Sequence, residues 1–248
     1  MDSPPRRDVS FPQFPVLHYH HVHDEEESFF RVTTQVLRAQ LELLLAEGYI
    51  PLHPDRLGGL KGGPLPGERY VLVTVDDAYE NFLLHAWPVL KSLQVPVLLF
   101  VVSDYIGGWN DWDSIRLSRH RHLGLDQLRF LQEEGVVIGS HSRTHPILAL
   151  LDDAALQNEI GGSRVVLEEL LGRPVSTFAY PGGHVDQRIR ELTARNYDLG
   201  FATDREHGGS FCDPYTIARI DPSFFWDLDN FRAELAAHAG LRAGDEGR

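Results

Sequence analysis

Tyr70-Val71-Leu72-Val73-Thr74-Val75-Asp76-Asp77-Ala78 runs from an apolar, β-branched segment straight into two adjacent carboxylates. Val71, Val73 and Val75 alternate with Leu72 and Thr74, and nearly every position is apolar, which predicts a strand buried on both faces. Neighbouring strand residues point to opposite sides. Asp76 and Asp77 therefore take different tasks if the strand ends there and one side chain turns into a cleft. An uncompensated carboxylate is costly to bury, so the pair calls for a helix N-terminus, a cation or a metal. The simplest alternative is that the two acids only start the next helix, since Asp is a good cap.

Working outward, the chain alternates strand and helix. Val16–Val22 reads as the first strand, with His18, His20 and His21 near its end. Thr33 or Thr34 caps a helix to about Glu47, with Val36, Leu37, Leu41, Leu44 and Leu45 on one face. Residues 58–67 are rich in glycine and proline and read as loop. After strand 70–75 come a helix over 79–93 and a buried strand over 96–102. A long loop over 103–122 carries Trp109, Asp111, Trp112 and Asp113, and loops of this length are often functional. A helix to Glu134 and a strand over 136–140 follow. A helix over 152–171 has Gly161-Gly162 as a candidate kink. Strands over 177–180, 199–203 and 216–220, with helices over 186–196 and 229–239, complete the pattern. About seven such alternations call for parallel strands with crossover helices, as a barrel or a doubly wound sheet. In both, the active face lies at the carboxyl ends of the strands, and Asp76-Asp77, His141 and Tyr180–His184 fall there.

The 248 residues carry 42% hydrophobic residues and a net charge of −13. That content fills one core, and 14–240 reads as one domain between an extended lead-in, 1–13, and a polar tail, 241–248. The negative charge argues against nucleic acid or anionic membrane as partners. The single cysteine, Cys212, excludes an intrachain disulfide and is compatible with a reducing compartment. The first residues lack an apolar signal core and no run is long enough to span a membrane. The expected location is cytoplasmic as the sequence stands, or extracytoplasmic if a signal has been removed.

His141 and His145 are four apart, a spacing at which two imidazoles on one helical turn share a metal. Together with Asp76-Asp77 they favour a metal centre over hydrogen-bonding roles. Two imidazoles and one carboxylate leave positions open for water and substrate.

With these segments in order, the chain resembles the polysaccharide deacetylases, carbohydrate esterase family 4, over about residues 14–235. Val-Thr-Val-Asp-Asp-Ala (73–78) is similar to the family's Thr-Phe-Asp-Asp-Gly motif. His-Ser-Arg-Thr-His (141–145) matches His-Ser/Thr-x-x-His. Phe-Ala-Tyr-Pro-Gly-Gly (178–183) and Leu-His-Tyr-His-His-Val (17–22) resemble the poly-N-acetylglucosamine deacetylase branch. The resemblance implies an α/β fold, a distorted (β/α)7 TIM-like barrel. It implies a metal-dependent hydrolase that removes N-acetyl groups from N-acetylglucosamine-type sugars. An O-acetyl esterase, a small-molecule amide hydrolase and an inactive carbohydrate-binding domain are the alternatives.

By the same resemblance Asp77, His141 and His145 hold one divalent ion, zinc first with cobalt, nickel or manganese as substitutes. Asp76 is the general base, and the Gly182 backbone N–H stabilises the oxyanion. Tyr180 and His20 are candidates for lining the sugar site. Three departures stand out. Ala78 replaces a glycine, and Ala179 stands where many members carry an arginine that orients the base. A C-terminal Leu-x-His, the usual source of the general acid, is missing. His184, His20 and His207 are the candidates to replace it, with His184 placed first. The implied partner is a carbohydrate; oligomeric state does not follow from the sequence.

Overall fold

Val16–Tyr19 (β1), Arg69–Val75 (β2), Val97–Val101 (β3), Val137–Ser140 (β4), Thr177–Ala179 (β5) and Leu199–Phe201 (β6) pair side by side in that order. Every pair is parallel. Tyr49–Pro51 adds a short strand along the start of β2. The structure is a computed structural model and describes residues 14–25, 30–60, 69–112, 119–203 and 213–245. His207, Cys212 and the lead-in 1–13 lie outside the described residues.

The sheet curls until its two edges meet the same segment. Ile217 bridges to Phe201 of β6, and Ile220 bridges to Leu17 of β1. Ile217 N donates to Gly200 O at 2.8 Å, and His18 N donates to Ile220 O at 2.9 Å. The 216–220 stretch, expected as an ordinary strand, thus closes a distorted barrel through isolated bridges. Both edges are covered, which removes the exposed strand edge of an open sheet.

The helices pack outside. Thr34–Ala46 (α1) is capped by Thr33, whose side chain accepts from Val36 N. Trp87–Ser92 (α2) follows a π-helical turn, Phe82–Ala86, where one unbroken helix was expected. Leu125–Glu133 (α3) stands before β4. Asp153–Gln157 (α4) and Ser163–Leu171 (α5) are joined by a π turn, Asn158–Gly162, at the glycine pair. Gln187–Asn196 (α6) is capped by Asp186, and Leu228–Asp245 (α7) closes the chain. β2, β3 and β5 are buried along almost their whole length, as strands covered on both faces should be. Among the described residues no helix is long and apolar enough to cross a membrane.

Candidate active site

At the carboxyl end of β2 the chain leaves the sheet in a left-handed turn. Asp77 has φ 68° and Ala78 φ 54°. Asp76 stays in register, its N–H donating to Tyr19 O at 2.9 Å. The turn swings Asp77 away from the strand's alternation, and both carboxylates line one cavity of about 480 Å³. Ala78 thus occupies backbone space that favours glycine, the residue that the motif it resembles carries there.

The segment after β4 turns in a similar way. Ser142 has φ 65° and His145 φ 58°. The four-residue spacing of His141 and His145 therefore works through a non-helical loop, a correction to the helical-turn reading. Four of the five described non-glycine residues with left-handed backbone lie in these two turns. Such conformations cost about 1–3 kcal/mol each and persist where surroundings enforce them. Glu159, buried in the π turn, provides enforcement. One of its oxygens accepts from the N–H groups of Arg143 and Thr144, each at 2.9 Å, and the other accepts from the Thr144 hydroxyl at 2.7 Å. Arg143 in turn donates in a fork to Asp104, at 3.0 and 2.8 Å.

These turns bring Asp77, His141 and His145 together. The Nε2 atoms of both histidines lie 3.6 Å from Asp77 Oδ1, and the three residues offer donor atoms within 4.8 Å of one another. His141 Nδ1 donates to Ala179 O at 2.8 Å. That bond fixes the tautomer and turns the Nε2 lone pair toward Asp77, as expected of a metal-ligating imidazole. The donor set and its orientation fit a divalent ion with open positions. Trp112 stacks on His145, with centroids 4.9 Å apart and planes at 19°, and also packs on His122. His122 Nδ1 donates to Asp77 O at 2.7 Å. The 103–122 loop thus backs two members of the triad, a role that only its length and aromatic content had hinted at.

Asp76 is held by a residue that motif reading missed. Arg219 donates to Asp76 Oδ1 at 2.7 Å and to Oδ2 at 2.8 Å. It also donates to Ala202 O and the Thr74 hydroxyl. Its side chain is 0% exposed. Burial opposes ionisation of Asp76, but Arg219 and the neighbouring His141 hold its carboxyl well below the usual carboxylate range. Arg219 thus reaches Asp76 from the barrel-closing segment, while position 179 is an alanine. The signal was a charged residue inside the apolar stretch Thr216-Ile-Ala-Arg-Ile220.

His18 and His20 lie beside Asp76, against the oxygen Oδ2 that His141 Nε2 also approaches, at 4.0 Å. His20 Nε2 is 3.8 Å from Asp76 Oδ2, and His18 Nδ1 is 4.0 Å from the same atom. Burial, then the charge of Arg219, pushes His18 well below the ordinary imidazole value. His20 lines the cavity, whereas His184 is exposed and is not among the lining residues. Gly182 lines the cavity with φ 65°, left-handed backbone that glycine adopts freely. Tyr180 lines it as well, but it is fully buried and its hydroxyl donates to Tyr215 O at 2.6 Å. Its hydroxyl is therefore engaged within the fold.

A family model described as polysaccharide deacetylase matches residues 64–199. YxkH of Bacillus subtilis, whose name assigns it to the polysaccharide deacetylases, is 25% identical over 210 residues, covering 84% of this chain and 71% of that protein. The poly-β-1,6-N-acetyl-D-glucosamine N-deacetylase of Staphylococcus epidermidis is 26% identical over 204 residues, covering 77% and 68%. Among solved structures, the Streptococcus pyogenes deacetylase PplD in complex with acetate superposes with a TM-score of 0.70 at 24% identity, covering 84% of this chain and 91% of its own. That likeness bears on the fold.

Proposed function

Because the chain belongs to the polysaccharide deacetylase family, a family of metal-dependent hydrolases, we propose that it removes N-acetyl groups from N-acetylglucosamine units of a glycan or glycoconjugate. One observation carries this reading. A His141–His145–Asp77 triad stands beside a second carboxylate, Asp76, which Arg219 holds with two hydrogen bonds and keeps ionised, and His141 Nε2 is 4.0 Å from Asp76 Oδ2. The names of relatives such as the Staphylococcus epidermidis enzyme support the N-acetylglucosamine substrate.

Asp77, His141 and His145 hold the ion, and zinc suits two imidazoles and one carboxylate. The bound ion supplies Lewis-acid polarisation of the acetyl carbonyl and a lower pKa for water. Asp76 accepts the proton of the attacking water. The Gly182 backbone N–H donates to the oxygen that gains charge as the carbonyl becomes tetrahedral. His20 gives its proton to the amine as the C–N bond breaks, leaving acetate and a free amino sugar. His20 takes this role in place of His184 because it lines the cavity beside Asp76.

The test is acetate release from N-acetylglucosamine oligomers by zinc-loaded protein. Chelation and Asp76→Asn should each abolish it, and His20→Ala should lower kcat by about 10²–10⁴. Turnover that survives both chelation and Asp76→Asn would sink the mechanism. Acetate released only from O-acetylated sugars would make the protein an esterase. Tight oligosaccharide binding without turnover on either substrate would make it an idle sugar-binding domain.

A further inference from the structure

The same cavity holds a second group of candidate metal-ligating side chains, which like His141 lies against Asp76 Oδ2. His18, His20 and Asp221 each bring a donor atom, and these lie within 4.8 Å of one another. His18 Nε2 is 3.9 Å from Asp221 Oδ2. The His18 and His20 rings meet edge to face with centroids 5.1 Å apart. The two histidines are separated by one residue at the end of β1, so the strand directs both to one side.

The group is partly preorganised. Asp221 Oδ1 accepts from Ser223 N at 2.8 Å, which fixes the carboxylate while Oδ2 faces His18. The Nδ1 atoms of His18 and His20 are buried without a hydrogen-bond partner among the described residues, a costly arrangement for imidazole nitrogens. A cation held with Asp221 would meet His18 through Nε2, the nitrogen that faces Asp221 Oδ2. Two nitrogens and one carboxylate suit zinc, and suit magnesium or calcium poorly.

We propose that His18, His20 and Asp221 form a second divalent-cation site, weaker than the triad, and that zinc in excess fills it and inhibits the enzyme by withdrawing His20 from proton donation. The binding follows from the three side chains alone; the inhibition rests on the deacetylase reading. The positive charge of an ion in the triad weakens the second site. His141 and His20 both lie against Asp76 Oδ2, at 4.0 and 3.8 Å, so ions in the two groups would be close neighbours, while Arg219 is already paired with Asp76. Like charges at these separations cost at least a factor of about ten in affinity at a partly screened site.

Protein stripped by chelator and dialysed against rising zinc, with bound metal counted, tests the site. The expected result is one equivalent at low zinc and a second at concentrations at least about tenfold higher. His18→Gln and Asp221→Asn should each lose the second equivalent and keep the first, while His145→Ala should lose the first. The two second-site variants lie on different segments, so a folding defect in one leaves the other to decide. In the activity arm, excess zinc should slow acetate release by the wild type and leave the residual rate of His18→Gln unchanged. A single equivalent at every zinc concentration overturns the site, as does a second equivalent that persists in both variants. A second equivalent that behaves as expected without slowing turnover overturns the inhibition. The metal count stands even if no acetate release is found from any sugar.

Discussion

Arg219 and Asp76 are a buried ion pair joined by two hydrogen bonds, and Arg219 also donates to Ala202 O and the Thr74 hydroxyl. Removing one partner of such a pair leaves an uncompensated charge. Arg219→Met should therefore cost about 3–5 kcal/mol in stability at neutral pH, read by denaturant unfolding. The sign of the pH dependence follows from the direction of the shift. With Arg219 present the folded carboxyl titrates below its unfolded value, so its contribution is full above about pH 4 and is lost only as pH falls through the lower folded value. Without Arg219 burial dominates and raises the carboxyl, so the penalty is greatest at neutral pH and shrinks toward about pH 4. A cost that stays flat between those limits would mean that Asp76 is not the group affected. The pair also marks where sequence reading stops. Asp76 and Asp77, or His141 and His145, are local and announce themselves as carboxylates or imidazoles at strand ends. Arg219 is 143 residues from Asp76, and only the closing of the barrel brings them together.

The π turn between α4 and α5 sets which way Glu159 faces. Helical periodicity over 152–171 was legible, and so was the irregularity at Gly161-Gly162. The consequence was not, because a π turn re-aims side chains by less than a pattern of apolar residues resolves. A Cβ at Gly161 would come within 2.2 Å of Gln157 Nε2 and 2.8 Å of Asn196 Oδ1, so the ends of both side chains would have to move aside. Glu159 accepts three hydrogen bonds from the loop between the two histidines. Glu159→Gln replaces one carboxylate oxygen with an NH₂ group that faces donors. The loop that leads into His145 then loses a restraint at Arg143 and Thr144, and the bond from His145 N–H to the Ser142 hydroxyl remains. Zinc affinity should fall about 10- to 100-fold, measured by competition with a chromophoric chelator. Near-normal kcat should return at saturating zinc, because Glu159 lies outside the cavity lining. An unchanged affinity would show that the strained loop needs no such clamp. The barrel's parallel strands were equally legible as apolar runs, whereas 216–220 looked like an ordinary strand. Its pairing through single bridges to both edges depends on sheet curl, which a linear pattern does not carry.

At the scale of the whole molecule, the triad ties together two turns that leave the barrel at different strands, Asp77 after β2 and His141 and His145 after β4. An ion bound there favours the folded chain over the unfolded one, since the donors come together only on folding. At free zinc 100-fold above the dissociation constant the gain is about 2.7 kcal/mol. For a chain of 248 residues that corresponds to a rise in Tm of about 5–10 °C. Thermal melts in the His18→Gln background, which removes the second site, should show this rise. His145→Ala should lose most of it, having lost a ligand. Asp76→Asn should keep it while losing acetate release, because Asp76 is bound to Arg219 and is not a donor of the triad. The contrast separates the two carboxylates that stand side by side in the chain. If Asp76→Asn abolishes the zinc-dependent rise and Asp77→Asn leaves it intact, ligand and base are exchanged, and the left-handed turn at Asp77 serves some purpose other than presenting a metal ligand.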